Sequence, residues 1–164
     1  MIRPLRLWPD PLLTLVCPPV TVFDANLQRL ADDMLETMYA AQGRGLAAPQ
    51  VGESPRVFVM DVTWKDAEPE PLVCVNPVIV AFSDDTTAFE EGCLSIPGVP
   101  ATVTRPAQIL LRWQDTNGAG HEARMTDMRA VCAQHELDHL DGIVIFDRID
   151  PDLRATLETG YLNR

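Results

Sequence analysis

Between about Thr126 and Leu140 the chain puts histidines on the apolar face of a helix. Met128, Val131, Cys132, His135 and His139 fall at i, i+3, i+4, i+7 and i+11, the spacing of one helical face. Imidazoles among apolar neighbours need a polar partner once buried. A metal ion is the economical partner for a pair of them. What precedes the helix is mostly strand pattern: Arg56–Val62, Leu72–Val80, Ala101–Thr104, Gln108–Trp113 and His121–Met125, with Asn117-Gly118 as a hairpin turn. Asp24–Tyr39 reads as an amphipathic helix capped by Asp24, with Leu27, Leu30, Met34 and Met38 inward. Gly43, Gly45 and Pro49 predict a loop after it, and Asp152–Leu162 a final turn or two of helix. Strands followed by a helix that turns polar groups inward give an α+β fold. No repeat or linker divides the 164 residues, so 1–164 is expected to be a single domain.

The helix spells His135-Glu136-Leu137-Asp138-His139, the pattern HExxH. Helical residues four apart stand about 5–6 Å from each other at Cβ, so both imidazoles can reach one metal ion. Glu136, one residue round, can exchange protons with a water on that metal without being a ligand. A chance match on a solvated helix is the competing reading. A catalytic site of this kind needs a third protein ligand and an open position. No histidine follows His139, and Glu158, the only later glutamate, reads as a surface helix residue. Upstream, Cys93 follows Gly92, which lets backbone approach closely. Cys132, three residues before His135, is a rival ligand, read in preference as a packing thiol in the pocket wall.

Charge and cysteine content exclude other classes. With 13 basic and 24 acidic residues the net charge is −11, and the basic residues are scattered. That argues against a DNA-binding or an anionic-membrane surface. No run approaches the ~18 apolar residues of a membrane span, and prolines break the apolar Leu12–Cys17 segment on both sides. Four cysteines are too few for a disulfide scaffold and suit a reducing cytoplasm.

Three segments together resemble the peptide deformylase family, whose members remove the formyl group from N-terminal formylmethionine. They are Gly43-Arg44-Gly45-Leu46-Ala47-Ala48-Pro49-Gln50, Glu91-Gly92-Cys93-Leu94-Ser95 and Gln134-His135-Glu136-Leu137-Asp138-His139. The likeness runs from the Arg6–Leu13 stretch through Leu94-Ser95-Ile96-Pro97 to Phe146. It implies antiparallel sheets packed around a central helix that carries HExxH. It also implies that Cys93, His135 and His139 hold one divalent metal, Fe2+ with Zn2+ or Ni2+ as substitutes. By the same resemblance Glu136 is the general base, and Gln50 and the Leu94 backbone N–H are oxyanion donors. The resemblance further implies that Gly45 contacts the substrate chain and that Phe89, Met128, Val131 and Cys132 wall the methionine pocket, with ordinary core packing as the competing reading of those four. The implied substrates are formyl-Met peptides.

The chain departs from the family pattern in places. Arg44 stands where the first motif has an apolar residue, and is expected to line the cleft mouth and bind substrate there, with a pair to Glu90 as the competing reading. Arg129 adds a charge to the HExxH helix away from its ligand face. Gly98-Val99-Pro100 lacks an arginine that some members have near the bound peptide. Only Arg154 and Arg164 are basic after position 150, so ribosome association is expected to be weak or absent. Two other functions remain open: a HExxH metallopeptidase, which would not need Cys93, and a non-catalytic metal-stabilised binding module, which could dispense with Glu136 and Gln50.

Overall fold

The computed structural model describes every residue, Met1–Arg164. Helix α1 (Ala25–Ala40) opens at Asp24, whose carboxylate accepts the Leu27 N–H at 3.1 Å, and it buries Leu27, Leu30, Met34 and Met38. The glycine-rich stretch expected to be a loop contains a three-residue strand, β1 (Gly45–Ala47), followed by a 3-10 turn over Ala48–Val51. β1 pairs antiparallel with β2 (Val57–Met60), Gly45 opposite Met60 and Ala47 opposite Phe58. All four β2 residues are buried, because Val57 and Val59 pack with the α1 side chains while Phe58 and Met60 face the opposite cluster.

The sheet continues through β3 (Leu72–Phe82), β6 (Gln108–Gln114) and β7 (Gly120–Thr126), in the order β1-β2-β3-β6-β7, with every pairing antiparallel. The β3–β6 register shifts between Val75 and Val78, where Pro77 has no N–H to give the ladder. A separate hairpin joins β4 (Thr86–Cys93) to β5 (Ile96–Pro106) through Leu94-Ser95. The sequence reading found only Ala101–Thr104 of this hairpin. β4 escaped it because Glu90-Glu91-Gly92 has little strand propensity.

Helix α2 (Asp127–Leu140) follows β7 directly and packs against β1, β2 and β7. Ala130, Cys132, Ala133 and Leu140 share one core cluster with Phe58, Met60, Leu111 and Met125. Truncating a fully buried ring such as Phe58 would cost about 3–5 kcal/mol. Helix α3 (Pro151–Leu162) is longer than the expected turn or two, started by the Asp150 cap and Pro151 at its first position. It buries no residue fully and is tied down at Trp8, whose Nε1 donates to Glu158 at 2.8 Å and whose carbonyl accepts from the Tyr161 hydroxyl at 2.9 Å. The α+β expectation, antiparallel sheets around the HExxH helix, holds.

Candidate metal centre

From Ala130 onward α2 is covered on all sides, not on one face: of the residues to Leu140 only Leu137 is less than buried. Its polar side chains must therefore be satisfied by protein or ligand. Gln134 donates to the carbonyls of Pro106 and Ala130. His135 and His139, one turn apart, have ring centroids 5.1 Å from each other. On β4, Phe89, Glu91 and Cys93 share one strand face, which lines the site. This brings the Cys93 Sγ to 3.4 Å from His139 Nε2. One ligand atom from each of Cys93, His135 and His139 lies within 4.8 Å of the others. Cys132 is outside this cluster, and its Sγ donates instead to the Arg44 carbonyl at 3.5 Å. Glu158, tied to Trp8, is outside it as well.

His135 Nδ1 lies 2.9 Å from Glu91 Oε1, and the carboxylate assigns the proton to Nδ1 and leaves Nε2 for a metal. Burial pushes the His139 imidazole well below its ordinary pKa, which keeps it in the neutral, ligating form. One thiol and two imidazoles, buried and convergent beside a cavity, fit a three-ligand site for a borderline divalent metal with a further position open.

Behind the histidines lies a charge chain that the sequence reading missed. Arg105 Nε and Nη2 clamp both oxygens of Glu91 at 2.7 and 2.9 Å, and its Nη1 donates to Asp138 at 2.9 Å. Arg148 grips the same Asp138 through Nε and Nη2 at 3.0 and 2.7 Å. The available signal was an arginine at an inward position of β5, in register with buried Val99, Ala101 and Val103.

The other expected groups converge on the same place. The Gln50 Oε1 accepts the Ala47 N–H at 2.9 Å, which turns Nε2 toward Ser95 Oγ at 3.0 Å and Cys93 Sγ at 3.8 Å. The Leu94 N–H in the adjacent turn has no protein acceptor. Glu136 is 3% exposed, and its Oε2 is buried without a hydrogen-bond partner. Burial pushes its carboxyl up to about 7, against the pull of His135. Gly45 packs on it so closely that a Cβ there would stand 2.8 Å from Cys132 Sγ and 2.9 Å from Glu136 Cγ. A Cβ at Gly92 would meet nothing, so that glycine leaves space in the cavity and does not admit a protein neighbour as its position had suggested.

The cavity measures about 580 Å³, and Phe89, Met128, Val131 and Cys132 line it beside Cys93, His135 and Glu136. Arg44 lines it too. Its Nη2 reaches Asp66 at 3.5 Å, so the carboxylate beside it is not Glu90 as the competing reading supposed. Arg129 turns away, toward Glu70 at 3.3 Å.

Comparison with known proteins gives a consistent result. The profile of the family described as polypeptide deformylase matches residues 2–155. The peptide deformylase of Rhizobium meliloti is 48% identical over 148 residues, covering 90% of this chain and 85% of the relative. That of Bartonella henselae is 47% identical over 145 residues, 88% and 82% of the two chains. The crystal structure of a peptide deformylase from Legionella pneumophila superposes with a TM-score of 0.92 at 39% identity, covering 99% of this chain and 95% of the other.

Proposed function

The chain belongs to the polypeptide deformylase family, and on that premise we propose how its own residues divide the removal of a formyl group from N-terminal formylmethionine. A divalent metal held by Cys93, His135 and His139 would supply a Lewis acid that acidifies water and polarises the formyl carbonyl. We assign ferrous iron to that position, with zinc or nickel as substitutes. The sulfur and nitrogen donor set accommodates all three.

Glu91 fixes the tautomer and plane of His135, and Arg105 fixes Glu91. Glu136 holds the mobile proton. Its Oε2 has no protein partner, and a carboxyl near pH 7 can take a proton from the attacking water and return it to the departing amine with little penalty in either direction. Gln50 Nε2 and the Leu94 N–H donate to the oxygen that gains charge as the formyl carbon becomes tetrahedral. Their anchoring by Ala47, Ser95 and the hairpin turn is in place before substrate arrives. β1 is an edge strand, so the Gly45 backbone has an open side for the peptide chain. Phe89, Met128, Val131 and Cys132 form the wall against which the methionine side chain packs.

The observation that carries this division of labour is the convergence of Cys93, His135, His139 and Glu136 on one cavity. Release of formate from formyl-Met-Ala peptide under anaerobic handling tests it, with casein as control. Casein cleavage without formate release would favour the metallopeptidase reading. No helix is long and apolar enough to cross a membrane. The four free cysteines suit a reducing compartment, and the cytoplasm is the proposed location. Ribosome docking is proposed to be weak, because Arg154 already pairs with Asp147 and Glu158 and Arg164 donates to the carbonyls of Pro97 and Gly98.

A further inference from the structure

The cavity mouth carries a charge arrangement that hydrolysis itself does not use. Arg44 and Lys65 both line the cavity, one just before β1 and the other on the loop after β2. The Arg44 Nε is buried and has no hydrogen-bond partner. On the same edge of the guanidinium, Nη2 reaches only Asp66, at 3.5 Å, and that side chain is 80% exposed. Arg105 uses the equivalent edge to grip Glu91 through both nitrogens. The edge suits a carboxylate taken two-handed, and in Arg44 it holds one weakly by one hand.

Lys65, the only lysine in the chain, has no carboxylate in ion-pair reach and lies 5.6 Å over the Trp64 ring. A buried donor without an acceptor is held at a cost in free energy. Two under-compensated cations on one lip raise the local concentration of anionic groups. In a chain of net charge −11 these two cations stand on the lip beside the acidic Asp66 and Glu90. The lip also adjoins the proposed methionine wall, since the Arg44 carbonyl accepts from Cys132 Sγ.

We propose that Arg44 and Lys65 form an anion-binding lip that selects formyl-Met peptides bearing an acidic side chain shortly after the methionine. The proposal rests on the reading of this cavity as the peptide cleft. Asp66 is the stand-in counterion, and the substrate carboxylate replaces it on the Nε–Nη2 edge. The Arg44 stem lies along the wall with its charge at the mouth, the ordinary compromise for a long cationic side chain.

The test compares kcat/KM of the metal-loaded full chain for formyl-Met-Ala-Asp, formyl-Met-Ala-Ala and formyl-Met-Ala-Lys, each C-terminally amidated. An exposed pair of this kind gives an Asp-over-Lys preference of about two- to fivefold, shrinking as salt is raised. Arg44→Leu and Lys65→Gln lower the ratio toward unity, and Asp66→Asn raises it by removing the competitor. Arg112→Gln, a cation outside the cavity, leaves it unchanged. Lys65 and Asp66 sit on an exposed loop, so those variants decide the matter even if Arg44→Leu does not fold. An Asp/Lys ratio equal in wild type, Lys65→Gln and Asp66→Asn overturns the lip. The affinities of the products Met-Ala-Asp-amide and Met-Ala-Lys-amide, measured by calorimetry, read the same contrast without turnover. Formate release from the neutral peptide with no charge preference defeats the lip alone. Absence of formate from all three peptides defeats the deformylase reading, and product binding then decides the lip.

Discussion

Arg105 and Arg44 are guanidinium groups of one chain placed to opposite ends. Arg105 is buried with a 5% exposed side chain, every edge of it committed to Glu91 or Asp138. Arg44 is half-buried, with one nitrogen orphaned and another held by a solvent-facing carboxylate. Burial makes an ion pair expensive to break but gives it little net stabilisation. The contribution of Arg105 is therefore geometric, holding the carboxylate that holds His135. A charge left short of partners has the converse property, since its field is available to a ligand. Charges already satisfied fix the site, and charges left open select what enters it.

The fixed side of the contrast breaks hardest at the ligand itself. Cys93→Ala should remove stoichiometric metal and with it the activity, whereas Cys132→Ala should keep the metal and alter only the pocket. Metal analysis of the two purified variants checks this, and full retention in Cys93→Ala would overturn the ligand assignment. Next is Glu136→Ala, which should retain metal yet lose about 10²–10⁴-fold in kcat, the contribution of general acid–base catalysis. Loss of metal in that variant would make Glu136 a ligand instead of a base.

The two arginines can then be compared directly. Arg105→Met leaves the buried Glu91 without its guanidinium, while Asp138 keeps Arg148, and should destabilise by about 3–5 kcal/mol in denaturant unfolding. Arg44→Leu should cost less than about 1 kcal/mol, because its one pair is largely exposed. Equal destabilisation by both would erase the distinction between fixed and open charge.

A further effect, set by pH, concerns Asp61, which anchors the loop bearing Lys65 and Asp66. It is 1% exposed and accepts from the Tyr39 hydroxyl at 2.6 Å and from the N–H groups of Thr63, Trp64 and Glu70. Burial opposes its charge, but these hydrogen bonds outweigh burial and hold its carboxyl below the usual range. A depressed pKa in the folded state contributes stability above the unfolded value, and that stability is lost as pH falls through the folded one. Asp61→Asn should therefore cost about 1–3 kcal/mol at pH 7. The gap to wild type should close below roughly pH 4, where the unfolded carboxyl takes up its proton. A gap that stays constant from pH 7 to pH 3 would contradict the assignment.

Much of this was legible in the sequence wherever one residue pattern implies one local geometry. The i, i+4 histidines, the Asp24 cap and the spacing of Leu27, Leu30, Met34 and Met38 all depend on neighbours within a few positions. The motif around Cys93 drew its meaning from the family likeness. What escaped notice depended on long-range pairing. Gly45–Ala47 is a strand only because β2 lies beside it, and Thr86–Cys93 only because β5 does. Glu91 and Arg105 are 14 positions apart, and Asp138 lies 33 from Arg105. Nothing in their local sequence joins three scattered charges into one buried network. The partner of Arg44 was missed for the same reason, since Asp66 belongs to a loop whose fold is set by Asp61.

The end of the chain has a different thermodynamic status. α3 buries nothing completely, and its polar ties to the body converge on Trp8, Asp147 and the carbonyls of Pro97 and Gly98. A segment with so little interior of its own opens at a free energy well below that of global unfolding. Amide hydrogens of α3 are therefore expected to exchange with solvent faster than those of the buried part of α2. The indole of Trp8, whose Nε1 loses its Glu158 acceptor when α3 departs, is a natural optical reporter of that opening.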